Sequence, residues 1–223
     1  MNKIVSFLFV LVLVFGFSVQ TYAELYNRGT DNLGNQLIYD SDLNITWYDF
    51  TKSGDYWQNQ IDWADGLDVS FGGTNYTDWR LPTTVDGTWV FGYDGTTTAG
   101  YNITSSEMGH LYYVELGNKG AMDIYGNVYP AGWGLTNTGP FKDLQAATYW
   151  SGTEYAADPS YAWAINFTGG NQSSTLDPKN AFTSYALAVR PGDVTVVPEP
   201  ISLILFLTGG AILIGRKYIR KKV

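Results

Sequence analysis

The side chains with the most chemistry to offer sit in one short segment, Gly152-Thr153-Glu154-Tyr155-Ala156-Ala157-Asp158-Pro159-Ser160, between two β-rich runs. Glu154 and Asp158 stand four residues apart, with Tyr155 inside the turn and Tyr161 just beyond it. A loop on a rigid sheet is where binding residues concentrate. Joined by Asn or Asp from elsewhere, these carboxylates offer oxygen ligands of the kind calcium takes. Equally, Asp158-Pro159 reads as the start of a turn. Two carboxylates are also what a glycoside hydrolase needs, held roughly 5–9.5 Å apart across a cleft, a separation that linear sequence does not fix. Trp89 and Trp133 lie in glycine-rich loops and are the tryptophans expected at the surface, where an indole face can cover the apolar face of a sugar ring. Trp79, Trp150 and Trp163 occupy alternating or motif positions and are expected inside.

Composition excludes much else. The 223 residues contain no Cys, which removes disulfides, thiolate metal sites and cysteine nucleophiles together. His110 is the single histidine, so a multi-histidine metal site is impossible and a Ser-His-Asp triad has little to build on. No serine or carboxylate partner for His110 is marked by spacing, and it reads as a helix-surface or satisfied core histidine. No catalytic constellation is visible, no cofactor is called for, and metal ligation is left unassigned.

The elements that must position these groups follow from periodicity. Gln36-Leu37-Ile38-Tyr39 and Ile45-Thr46-Trp47-Tyr48 flank a polar turn and predict a hairpin. Between residues 56 and 67, Trp57, Ile61, Ala64 and Leu67 fall on one helical face. Thr104-Ser105-Ser106-Glu107 reads as a capping box opening a second amphipathic helix, with Met108, Leu111, Tyr112 and Leu116 inward and Gly117 as the stop. Residues 84–100 hold glycine and threonine in excess and predict a surface loop or small ribbon. In Tyr161-Ala162-Trp163-Ala164-Ile165-Asn166-Phe167 large residues alternate with small ones, and Tyr185-Ala186-Leu187-Ala188-Val189-Arg190 repeats much of that pattern. Both predict strands, and two early helices with a late antiparallel sheet give an α+β domain. Arg80, set between Trp79 and Leu81-Pro82, is expected to pair with a carboxylate such as Asp78 or Glu154. Arg190 has the same structural reading.

Both ends of the chain are apolar. Residues 1–23 open with Asn2 and Lys3 after Met1, run through a greasy stretch and close on Ala23, the plan of a secretory signal peptide handled by the Sec translocase. At the other end, in residues 197–223, Pro198-Glu199-Pro200 precedes a hydrophobic stretch at 201–215, read as a transmembrane helix, and a basic cluster at 216–222 beginning with Arg216 and Lys217. Such a cluster stays on the cytoplasmic side, leaving the 24–196 domain outside. Residues 24–200 carry seven Lys/Arg against all 21 Asp/Glu, a balance of −14. Nucleic acid is therefore no partner, whereas divalent cations and neutral sugars are compatible.

The tail resembles the PEP-CTERM sorting signal of Gram-negative bacteria, and the resemblance implies an exosortase partner, removal of the tail, and delivery to the cell envelope or extracellular matrix alongside exopolysaccharide. Four further motifs, Thr77-Asp78-Trp79-Arg80-Leu81-Pro82-Thr83, Tyr149-Trp150-Ser151-Gly152-Thr153-Glu154, Tyr161-Ala162-Trp163 and Ala188-Val189-Arg190-Pro191-Gly192, resemble in order the Lcl C-terminal domain family. That resemblance, from about Leu37 to Gly192, implies a C-type-lectin-like fold and a surface protein binding polysaccharide without catalysis. A polysaccharide hydrolase and a passive structural matrix protein are the alternatives. The family's sulfated-glycan binding is not carried over, because a domain near −14 repels polyanions. The Glu-Pro-Asn and Trp-Asn-Asp signatures of calcium-dependent lectins do not occur, so a calcium-bridged sugar site has no support.

Overall fold

A long central strand organises the molecule, which is described by a computed structural model over residues 24–174 and 178–194. In chain order the strands are β1 (Leu25–Thr30), β2 (Gln36–Asp40) and β3 (Ile45–Asp55), followed by helix α1 (Trp57–Asp65) and the small hairpin β4 (Val69–Phe71) and β5 (Thr74–Tyr76). Short strands β6 (Phe91–Gly92) and β7 (Ala99–Gly100) precede α2 (Glu107–His110), which continues as a π-helical turn, Leu111–Glu115. The chain then supplies β8 (Thr148–Glu154), β9 (Ala162–Asn166), β10 (Asn171–Ser173) and β11 (Ser184–Pro191). Nine strands form one sheet in the order β1-β2-β3-β11-β8-β9-β10-β7-β6. The fold is mostly β-sheet with few helices, and its pairings are mainly antiparallel. The exceptions are β8 beside β11 and β6 beside β7, both parallel.

The expected hairpin is present as β2 and β3, with Leu37 opposite Tyr48 and Ile38 opposite Trp47. Because successive strand residues point to opposite faces, sequence neighbours divide between two cores. Leu37, Tyr48, Trp150, Ala164, Ala186 and Ala188 join Trp57 and Ala64 of α1 on one face. Ile38, Trp47, Tyr149, Ile165, Leu187 and Val189 join Met108, Leu111, Tyr112 and Leu116 on the other. The alternation of large and small residues in β9 and β11 has its reason here: the alanines make room for α1 and for the tryptophans Trp57 and Trp150.

The architecture departs from sequence expectation in two ways. The sheet is not confined to the late part of the chain, since β1–β3 occupy one side of it and β3 pairs with β11. The second helix is also shorter than its periodicity suggests, and its cap is not a Thr104–Glu107 box. Ser106 is the N-cap residue, its hydroxyl accepting from Gly109 N at 3.0 Å, while the Glu107 carboxylate serves another segment. Gly117 ends the helical stretch with φ at 61°, a left-handed conformation glycine adopts without steric cost.

No helix among the described residues is long and apolar enough to cross a membrane. The expected leader at 1–23 and the sorting tail, with Pro198, Glu199, Pro200, the 201–215 helix, Arg216 and Lys217, lie outside the described residues.

Candidate functional site

The arginine motifs build the frame. Arg80 and Val189 exchange two backbone hydrogen bonds of 2.9 Å, adding one residue of strand to β11. The buried Trp79 ring then lies 5.4 Å from that of Tyr48. The Arg80 guanidinium does not pair with Asp78 or Glu154. It donates two 2.7 Å hydrogen bonds to Glu107 instead. Asp78 goes to Arg190, which donates to it at 2.8 and 3.0 Å while lying 4.6 Å over the Tyr76 ring. Those hydrogen bonds hold the Asp78 carboxyl below the usual carboxylate range. Each arginine thus takes a carboxylate from another segment, Arg190 of β11 that of Asp78 and Arg80 that of Glu107 at the start of α2.

The carboxylates at 152–160 are each engaged locally. Glu154 forms an ion pair with Lys179, whose ammonium also lies 4.5 Å over the Trp57 ring. Asp158 closes its own turn: Oδ1 accepts from Ser160 N at 3.0 Å, and Tyr161 N donates to its carbonyl at 3.0 Å. No hydrogen bond joins Glu154 to Asp158 among the described residues. A third carboxylate, Asp86, accepts from the Trp163 indole at 2.8 Å and also from Ala156 N, docking this loop against the 84–98 segment. Nothing in the local sequence around Asp86 marked that role.

The 84–100 segment contains a ribbon, as its composition allowed, and it carries aromatic rings in a row. Trp89 and Phe91 are 38% and 43% exposed, with ring centroids 6.0 Å apart. Phe91 meets Tyr93 edge-on at 5.3 Å and Tyr101 at 6.3 Å, and Tyr93 stacks on Tyr101 at 6.1 Å with 14° between planes. Burial, then the neighbouring Tyr93, raises the Tyr101 hydroxyl above its usual pKa. The spacing Trp89-x-Phe91-x-Tyr93 is a period of two, which places three rings on one side of an extended chain. Reading Trp89 as a single loop tryptophan missed that signal.

The Trp89 indole donates to Ser173 Oγ at 3.3 Å. Ser173 in turn lines a shallow cleft of about 180 Å³, bounded also by Trp150, Phe182, Ser184 and the alanines of β9. That volume is below the roughly 300–1,000 Å³ of pockets that engulf small molecules. An aromatic row running up to such a cleft suits an extended ligand laid along the surface. Among the described residues no carboxylate lines it. Trp133, 39% exposed, makes no ring contact with this row among the described residues. The structure thus brings Trp89 together with Phe91, Tyr93 and Tyr101, and leaves Trp133, Glu154 and Asp158 in other settings.

Neither family models, curated proteins nor solved structures yield a match to this chain.

Proposed function

We propose that this chain is an exported protein of the cell envelope or extracellular matrix that binds polysaccharide or another matrix component without catalysis, through the aromatic row at Trp89, Phe91, Tyr93 and Tyr101. The observation that carries this reading is the contiguity of the row. Rings packed at 5.3–6.3 Å, two of them more than one-third exposed, form a continuous apolar face, and sugar rings present apolar faces of complementary shape. The shallow cleft beside it is lined in part by Ser173 and Ser184.

The charge balance of −14 in residues 24–200 favours neutral over sulfated chains. The leader-like start and the PEP-CTERM-like tail support export through the Sec translocase and sorting by an exosortase. The four Lcl-like motifs support a C-type-lectin-like reading of the fold. A glycan array probed with the purified protein, with and without calcium, tests the function. Binding to neutral polysaccharides is expected in both conditions. No binding in either condition refutes the reading in favour of a passive matrix role.

A further inference from the structure

Away from the aromatic row, three potential metal ligands converge beneath the β2–β3 turn. Asp40 at the end of β2, His110 at the end of α2 and Glu115 at the end of the π-helical turn place ligand atoms within 4.8 Å of one another. Asp40 is fully buried, and the Glu115 side chain is 1% exposed. The Glu115 carboxylate has one hydrogen-bond contact among the described residues, Oε1 with His110 Nε2 at 3.3 Å. Asp42, 38% exposed at its side chain, lies 3.9 Å from the same imidazole nitrogen.

A carboxylate removed from water needs a compensating partner, and a single imidazole is a poor match for a buried Glu beside a buried Asp. The backbone is also unusual at this point. In an α-helix residues five apart diverge by about 140°, but here Leu116 N bonds to Leu111 O, an i+5 closure of 2.9 Å, and His110 and Glu115 turn toward each other.

We propose that Asp40, His110 and Glu115 form a site for a divalent transition metal of the zinc class. The donor set decides the class: one imidazole nitrogen with carboxylate oxygens suits zinc, whereas calcium asks for six to eight oxygens. Tetrahedral zinc with bonds of about 2.0–2.2 Å separates its ligand atoms by roughly 3.4 Å, close to the 3.3 Å already found between His110 and Glu115. Trp47 Nε1 donates to Asp40 Oδ2 at 3.3 Å, and Asp40 Oδ1 accepts from Asp42 N and Leu43 N. These contacts orient the aspartate from behind, as outer-shell groups do. The half-exposed Asp42 side chain marks the solvent side, where a fourth ligand or water enters.

The test is calorimetric titration of the chelator-treated full-length protein with zinc chloride and, separately, calcium chloride, with the melting temperature followed in parallel. Expected results are one zinc per chain, a Tm raised by several degrees with zinc and unmoved by calcium, and at least tenfold weaker zinc binding in His110→Gln and Glu115→Gln. Should Glu115→Gln fail to fold, His110→Gln, on a partly exposed side chain, and the visible absorption of a cobalt(II)-loaded wild type displaced by zinc carry the test. No zinc-dependent heat, or equal affinity in His110→Gln, overturns the proposal.

Discussion

The guanidinium of Arg80 and the carboxylate of Glu107 face each other through two parallel 2.7 Å hydrogen bonds, and the same carboxylate accepts from Thr83 N at 2.6 Å. One acidic side chain thereby ties the segment bridged to β11 to the first turn of α2. Glu107→Gln keeps the shape and removes the charge. A hydrogen bond to a charged group contributes about 1.5–3 kcal/mol. The Arg80 side chain is about one-third exposed, so the lower end of that range applies. The urea midpoint of Glu107→Gln is expected to fall with the m-value unchanged. An unaltered midpoint would mean that the pair contributes nothing net.

Glu107 also shows where sequence reading succeeds and stops. Local signals were sound: the β2–β3 hairpin, the Gly117 stop, the inward Met108, Leu111, Tyr112 and Leu116, and the alternation in β9 and β11 all depend on near neighbours in the chain. Partner choice does not. Thr104-Ser105-Ser106-Glu107 satisfies the capping-box pattern, yet Ser106 caps the helix and Glu107 is claimed by Arg80, 27 positions away. His110 and Glu115 were equally illegible, since the π-helical closure that joins them breaks the helical periodicity from which side-chain faces are inferred. The aromatic row was half legible. Trp89, Phe91 and Tyr93 show a period of two, but the stacking of Tyr101 on Tyr93 depends on β6 lying beside β7.

Gly100 sets that pairing. Its φ is +116°, and a Cβ there would run into the Gly92 carbonyl. Gly100→Ala must therefore separate β6 from β7, destabilising the fold by more than the roughly 0.4–1 kcal/mol that a glycine replacement gains where the backbone is compatible. Near-UV circular dichroism is expected to weaken as Phe91, Tyr93 and Tyr101 lose their mutual packing, with the proposed polysaccharide binding lost in parallel. A Gly100→Ala protein with wild-type near-UV spectrum and binding would show that the row does not depend on this approach.

Acid has two opposed effects. Asp78 is depressed below its ordinary 3.8 by Arg190, so its folded pKa lies under its unfolded one. The stability it contributes is present above about pH 4 and is lost as pH falls through the depressed value. Glu115 is raised above its ordinary 4.5 by burial and Asp40. Its ionisation opposes folding, so stability in metal-free protein rises as pH drops from neutral through the raised value toward 4.5. Under chelator, Glu115→Gln is expected to melt higher than wild type at pH 7 and to converge with it below pH 4. Asp78→Asn should flatten the acid limb. Parallel pH–Tm curves for wild type and Glu115→Gln would contradict the assigned cause.

Trp89 and Trp133 are almost equally exposed, at 38% and 39%, which makes them a controlled pair. Trp89 extends a row of rings, whereas Trp133 makes no ring contact among the described residues. Aromatic contacts contribute about 0.5–1.5 kcal/mol beyond area burial, and 1.4 kcal/mol is tenfold in Kd. Trp89→Ala is accordingly expected to weaken the proposed polysaccharide binding by about tenfold and Trp133→Ala by less than about twofold, measured by calorimetry on a glycan selected from the array. Both variants should keep their melting temperatures within a few degrees, because neither indole lies in the core. The double variant Trp89→Ala/Phe91→Ala should lose less than the sum of its single changes, since residues sharing one ligand surface couple. Equal losses for Trp89→Ala and Trp133→Ala would mean that any exposed indole suffices, and that the contiguity of the rings is not what binds.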